Sequence, residues 1–305
     1  MSVVLITGCS SGFGMLSAAR LAVAGHTVYA SMRNLQKREA LLSEVKRRGG
    51  EVKLLKLDVT DNTTIDNVMN TIKSEKGRLD ILINNAGYGL GGFFEDVSER
   101  EFRDQMETNF FGLLTVTREA LPLMRRTASQ HEGTKIINIS SVQGRAPIPG
   151  LGAYATSKWA VEGFSEALNH ELAPFGIDVV IVEPGSYRTE IFTSNAHVAE
   201  RAGDERSPYA RFSEALKRKI ESMTDGGTAG MGDDPEVVAE LIEKIFEAKS
   251  PKLRYIVGQR AKMRILLRSL LPTRQYAKVL RNCLLYTSDA ADDTPCVDLG
   301  GRRII

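Results

Sequence analysis

Within its first fourteen residues the chain commits to a strand, a glycine turn and a helix. Ser2 to Thr7 is a β-rich apolar run, Thr7-Gly8-Cys9-Ser10-Ser11-Gly12-Phe13-Gly14 comes next, and helical periodicity runs from Gly12 to Ala24. That order opens a βαβ unit, whose crossover is right-handed. Glycines in such a turn let the backbone approach a pyrophosphate while the helix N-terminus faces its charge. Gly8, Ser10, Ser11, Gly12, Phe13 and Gly14 are therefore candidate dinucleotide contacts. A plain strand-to-helix turn uses the same residues, so the assignment depends on the rest of the chain.

Beyond Ala24 the alternation continues. Strand-like runs recur at His26–Met32, Val52–Leu57, Leu79–Ile83, Lys135–Ile139, Ile177–Val182 and Arg254–Val257. Helical stretches lie between them at Leu35–Arg48, Thr60–Lys76 (with Asp61 and Asn62 as caps), Glu99–Arg126 and Pro235–Ala248. The pattern predicts an α/β fold of Rossmann type, a doubly wound, seven-stranded parallel sheet with helices on both faces. The second strand ends in Ser31-Met32-Arg33-Asn34, with no carboxylate for a ribose 2′-hydroxyl. Arg33 can instead fork onto a 2′-phosphate, which favours NADP(H) over NAD(H). Arg33 as an ordinary solvent-facing loop residue stays open beside that reading.

Tyr154 and Lys158 are four residues apart, on one face of a helix. Bringing a phenol from its usual pKa of ~10 to neutrality takes about 4 kcal/mol in favour of the phenolate. One cation at ~4 Å supplies about that much at an effective dielectric of ~20. Alone the pair is also what a solvated helix face looks like. Ser141 stands thirteen residues before Tyr154, where the apolar run Lys135–Ile139 stops, and ligands bind at the ends of parallel strands.

The spacing S-x12-Y-x3-K resembles the catalytic set of the short-chain dehydrogenase/reductase family. Further matches come in order: TGxxxGxG at Thr7–Gly14, NNAG at Asn84–Gly87, Asn109 within TNFFG, and Pro184-Gly185. The resemblance spans roughly Ser2 to Gly258. It implies Asn109, Ser141, Tyr154 and Lys158 as the catalytic set, with Asn109 positioning water near the lysine; a purely structural buried asparagine is the other reading. It further implies Asp58 and Val59 against adenine, Asn85, Ala86 and Gly87 against the cofactor, and Pro184, Gly185, Tyr187 and Thr189 beside nicotinamide or phosphate. In the implied mechanism Tyr154 protonates the carbonyl oxygen, Ser141 hydrogen-bonds it, and Lys158 binds ribose hydroxyls and depresses the tyrosine pKa. The resemblance also implies a homodimer or homotetramer, paired through the Glu99–Arg126 and Tyr154 helices. VYASMRN and PKLRYIVG resemble the branch containing 17β-hydroxysteroid and retinol dehydrogenases, which implies a bulky apolar ketone or alcohol.

Forty basic and thirty-eight acidic residues leave a net charge of +2, so no global field points to nucleic acid. Cys9, Cys283 and Cys296 have neither metal-ligand nor disulfide-framework spacing. With no apolar run of membrane-spanning length and no basic leader after Met1, the expectation is a cytoplasmic protein without a metal. Residues 1–258 read as one domain, with a substrate lid over about 186–234. Residues 260–281 (RAKMRILLRSLLPTRQYAKVLR) read as a basic amphipathic helix that either covers its own domain or touches a membrane surface. The stretch 283–305 reads like translated sequencing adapter, a non-native tail beyond Asn282. The functional expectation is an NADP(H)-dependent oxidoreductase acting on an apolar carbonyl or alcohol. The alternative is a dinucleotide sensor or scaffold on the same fold.

Overall fold

The structure is a computed structural model, and it describes residues 1–192, 196–214 and 233–285. The strands are β1 (Val3–Ile6), β2 (Thr27–Met32), β3 (Lys53–Lys56), β4 (Ile81–Asn84), β5 (Gly89–Gly91), β6 (Lys135–Ile139), β7 (Asp178–Pro184), β8 (Ala196–Val198) and β9 (Arg254–Val257). The helices are α1 (Gly12–Val23), α2 (Arg38–Arg48), α3 (Asn62–Lys76), α4 (Glu99–Met106), α5 (Gly112–Ala128), α6 (Gly152–Leu172), α7 (Glu236–Glu247), α8 (Gln259–Leu270) and α9 (Thr273–Leu285).

Seven strands form one parallel sheet in the order β3-β2-β1-β4-β6-β7-β9. The chain runs outward from β1 to β3, returns to β4 on the other side of β1, and runs outward again. The halves part between β1 and β4, and the crevice at their carboxyl ends is where such sheets hold ligands. Both faces are covered, so β1 is apolar and buried at every residue. Val4 and Ile6 pack with Ala18 and Leu21 of α1 and Val238 and Ile242 of α7. Val3 and Leu5 join Ile65 and Val68 of α3, Val116 of α5 and Leu168 of α6 on the opposite face. Each such side chain contributes about 1.5–3 kcal/mol. The edge strand β3 keeps Lys53 and Lys56 in solvent, which discourages pairing with another chain.

Several helices depart from the sequence expectation for local reasons. The Asn34 side chain accepts Gln36 N (2.9 Å) and closes a 3-10 turn, Leu35–Lys37, ahead of α2. At α3 Asp61 alone is the cap, taking Thr63 N, and Asn62 is the first helical residue. The Glu99–Arg126 helix is α4, a π-turn at Glu107–Phe111, and then α5. A single widened turn is invisible to a 3.6-residue periodicity. The basic C-terminal helix is two helices, because Pro272 forces Leu271 to be extended (φ −87°, ψ 138°).

Ala261, Ile265 and Tyr276 of that pair pack on Val142 and Ala146, so these helices cover their own domain; Met263, Leu266 and Leu270 remain exposed. The faces expected to pair in an oligomer expose Phe111 (47%) and Trp159 (51%). Among the described residues no helix is long and apolar enough to cross a membrane. The expected lid is described in part, residues 193–195 and 215–232 lying outside the described residues, as do 286–305 of the adapter-like stretch. The parallel pair β5–β8 went unread in the sequence.

Candidate active site

A cleft of about 660 Å³ opens at the switch point of the sheet. It is lined by Gly8, Ser10, Ser11, Gly12, Phe13, Arg33, Asp58, Val59, Asn85, Ala86, Gly87, Ser141, Tyr154, Lys158, Pro184, Gly185, Tyr187 and Thr189. Of the residues selected from the sequence, Gly14 and Asn109 are absent from this lining.

Close packing of backbone builds the glycine turn. Gly8 takes φ +72°, and a Cβ there would stand 2.8 Å from Ala86 Cα. A Cβ on Gly14 would meet the Gly8 carbonyl oxygen at 2.5 Å and the Asn85 side-chain amide. That amide donates to Thr7 O and Gly8 O, both at 2.9 Å, and Thr7 Oγ1 accepts Asn85 N and Ala86 N at 3.0 Å. The NNAG segment is thereby bolted to the first turn. Thr7 was legible only as the residue opening that turn. Asn84 turns inward instead, donating to Thr117 Oγ1 and Asn138 Oδ1 (2.9 Å each).

Ser141 follows the end of β6 and caps the Val142–Gly144 turn, its Oγ accepting Gln143 N at 3.2 Å. Tyr154 lies in the first turn of α6, with Lys158 one turn on. Lys158 Nζ donates to Ile139 O (2.8 Å) and lies 5.8 Å from the centre of the Tyr154 ring. All three side chains are buried. Burial pushes the Tyr154 phenol up to about 12, although the hydrogen bond from Ser141 works the other way. Burial also pushes the Lys158 ammonium down to about 8, with Glu162 opposing. The expected depression of the tyrosine by the lysine is not what this geometry gives. Nζ is committed to a carbonyl, and desolvation is the largest influence on each group. Ser140 Oγ, 3% exposed, has no hydrogen-bond partner and borders the cleft. Ser140 was not among the residues selected from the sequence.

Asn109, inside the π-turn and 1% exposed, brackets the Tyr88 peptide. Its Oδ1 accepts Tyr88 N, and its Nδ2 donates to Tyr88 O, both at 3.0 Å, and to Ser157 Oγ at 3.1 Å. The bonds thus fix the cleft wall at β5, where the Tyr88 and His197 rings meet at 4.7 Å. Tyr187 borders the cleft, but its ring packs edge-on against Phe13 (5.5 Å) and is 4% exposed; Thr189 lines the cleft beside it. Thr189 faces Gly12, whose Cβ would come within 3.5 Å of it. Arg33 is exposed and makes no hydrogen bond or ion pair among the described residues. Asp58 Oδ1 is engaged by Thr60 N and Oγ1. A glycine cradle, a helix N-terminus with no acidic residue in its first turn, and an unpartnered buried hydroxyl fit a nicotinamide dinucleotide.

The short chain dehydrogenase family model matches residues 2–199. The chain belongs to the short-chain dehydrogenase/reductase family. It is an NAD(P)-dependent oxidoreductase acting on CH–OH groups, in the branch of the retinol dehydrogenases. A 3-ketodihydrosphingosine reductase of Bacteroides thetaiotaomicron is 40% identical over 256 residues, 84% of this chain and 87% of that one. Mouse retinol dehydrogenase 7 is 32% identical over 280 residues, 88% and 84% of the two chains. The crystal structure of a Streptomyces avermitilis short-chain dehydrogenase matches with a TM-score of 0.74 at 34% identity, covering 93% of this chain and all of that one. Actinorhodin polyketide ketoreductase, solved with NADPH, matches with a TM-score of 0.69 at 27% identity, covering 84% and 95%.

Proposed function

We propose that the chain reduces the carbonyl of a lipophilic ketone or aldehyde with NADPH, and that Tyr154 gives the oxygen its proton. The observation that carries this reading is the buried grouping of Ser141, Tyr154 and Lys158 on the same cleft that the glycine turn lines. A nicotinamide dinucleotide bound there supplies the hydride. Tyr154, held near 12, keeps its proton at neutral pH, as an acid in carbonyl reduction must. As a base for alcohol oxidation it would first have to lose that proton. Ser141 Oγ accepts Gln143 N, which leaves its own proton for the tyrosine or substrate oxygen, where negative charge develops. Lys158, an ammonium below about pH 8, stabilises the phenolate left behind. Nζ lies 5.8 Å from the centre of the Tyr154 ring, close enough for a positive charge to favour the phenolate. The role we assign to Asn109 is to hold the Tyr88 wall.

Leu90, Ile191 and Val198 beside Tyr88 and His197 make an apolar substrate end. The relative that reduces 3-ketodihydrosphingosine makes a long-chain ketone the first substrate to try, with retinoid and steroid carbonyls next. Arg33 at the end of β2, unpaired and without a neighbouring acid on that strand end, supports NADP(H). The test is kcat/KM for NADPH and NADH with a panel of such carbonyls. We expect NADPH to be preferred by about 10- to 100-fold, the worth of a charged hydrogen-bonded fork, and Arg33→Ala to erase the preference. Equal use of the two nucleotides, or a preference untouched by Arg33→Ala, would overturn the cofactor reading.

A further inference from the structure

Beneath the turn after Ser141 the structure holds a half-buried cation without an anion. Arg264 of α8 directs Nη2 to Gln143 Oε1 at 3.0 Å, and among the described residues no carboxylate pairs with it. Its other polar neighbour is the Tyr276 hydroxyl, a neutral group that favours the charged guanidinium, while Nε itself is buried without a well-aligned hydrogen bond. Holding a guanidinium against neutral acceptors in an interior costs free energy that an apolar side chain of the same length would not. Fold stability is therefore not what this arrangement supplies.

What it supplies is a fixed turn. Gln143 is 6% exposed, and the Oε1 that takes Arg264 also accepts Ile148 N at 3.1 Å. Its own N–H donates to Ser141 Oγ. On the far side Arg145 pairs with Glu183 at 3.2 Å, and Gly150 O accepts Gly92 N (2.8 Å) where the segment reaches the substrate end. Residues 142–150 thus connect Ser141 to the start of the Tyr154 helix, and Gln143 is their central fastening. Arg264 lies beyond residues 2–199, which carry the family match.

We propose that Arg264 is a positioning residue: through Gln143 it fixes the 142–148 turn, and with it the direction of the Ser141 hydroxyl. This rests on the reading of Ser141 as a donor to the carbonyl oxygen. Arg264→Met keeps the stem and removes the charge and the donors. It is expected to leave the melting temperature unchanged or raised, to keep the NADPH Kd within about twofold, and to raise deuterium uptake in the backbone amides of 141–150. kcat for carbonyl reduction falls by about tenfold or more while KM moves less, since a displacement of ~1 Å can cost that much. Arg264→Lys, which still reaches Gln143 Oε1 with one donor, restores most of the rate. Gln143→Leu reproduces the loss, and the double variant is no slower than either single one.

Unchanged exchange in 141–150 on Arg264→Met overturns the proposal. So does a parallel fall of melting temperature, cofactor binding and kcat, the mark of a merely structural residue. Should Arg264→Met fail to fold, Gln143→Leu carries the same exchange and kinetic readouts. Absence of carbonyl reduction by the unaltered chain would instead overturn the proposed function, and the exchange experiment would still decide whether Arg264 holds the turn.

Discussion

Tyr154→Phe is expected to lower kcat for carbonyl reduction by about 10²- to 10⁴-fold, the range that a positioned general acid contributes. The substitution removes one oxygen from a side chain that is 4% exposed, and the neighbouring groups stay where they are. The hydroxyl has the Ser141 side chain as its bonded neighbour, so the loss to fold stability is about 1 kcal/mol. NADPH titration should give an unchanged Kd, because the glycine turn and the NNAG segment are bonded to each other and not to Tyr154. The pH profile carries a second expectation. Burial lowers the Lys158 pKa to about 8, so its charge is present below that pH and lost above it. kcat/KM for reduction should therefore fall as pH rises through about 8. The phenol, near 12, contributes no break in that window. A profile flat to pH 10, or a Phe variant within about threefold of the original rate, would remove these two residues from the proton path.

Gly14→Ala is expected to abolish NADPH binding at micromolar concentrations and to destabilise the fold by about 3 kcal/mol, the upper end of the overpacking range. The added methyl would sit 2.5 Å from the Gly8 carbonyl oxygen and press on the Asn85 amide. Neither neighbour can retreat cheaply. Gly8 O is backbone in a turn with φ +72°, and Asn85 would lose bonds to Thr7 O and Gly8 O at about 1 kcal/mol each. Gly163 on α6 is the control, since nothing lies within 4 Å of a Cβ there. Gly163→Ala should stabilise the helix by about 0.5–1 kcal/mol and leave binding untouched. Thermal melts and a fluorescence titration of NADPH read both variants. Tight NADPH binding by Gly14→Ala would mean that the turn is looser than its packing implies.

Much of this site was legible in the chain because it is built from local sequence. Glycines at 8, 12 and 14, the Asn84–Gly87 segment and the Ser141, Tyr154 and Lys158 spacing each fix a short piece of backbone. Parallel strands buried on both faces announce themselves as apolar runs, so the sheet was countable as well. What was not legible depends on pairs far apart in sequence. The π-turn at Asn109 adds no periodic signal, and its role against Tyr88 needed the position of β5. The short β5–β8 pair, three residues in each strand, falls below any pattern that alternation can detect. The charge balance of Tyr154 and Lys158 was misjudged because adjacency in a helix says nothing about burial, and burial sets both titrations here. Arg264 sat in a basic amphipathic stretch, where a cation is usually a solvated one; the packing of α8 on Val142 and Ala146 sets it against Gln143.

Hydride transfer itself tests the central claim most directly. NADPH carrying deuterium at both C4 positions would be incubated with the full chain and 3-ketodihydrosphingosine, retinoid and steroid carbonyls in turn, and the products weighed by mass spectrometry. The account predicts one deuterium on the carbinol carbon of at least one product, formed by the unaltered chain and not detectably by Tyr154→Phe. NADPH that binds tightly and yet delivers no label to any carbonyl would contradict it, and would place the chain among dinucleotide sensors.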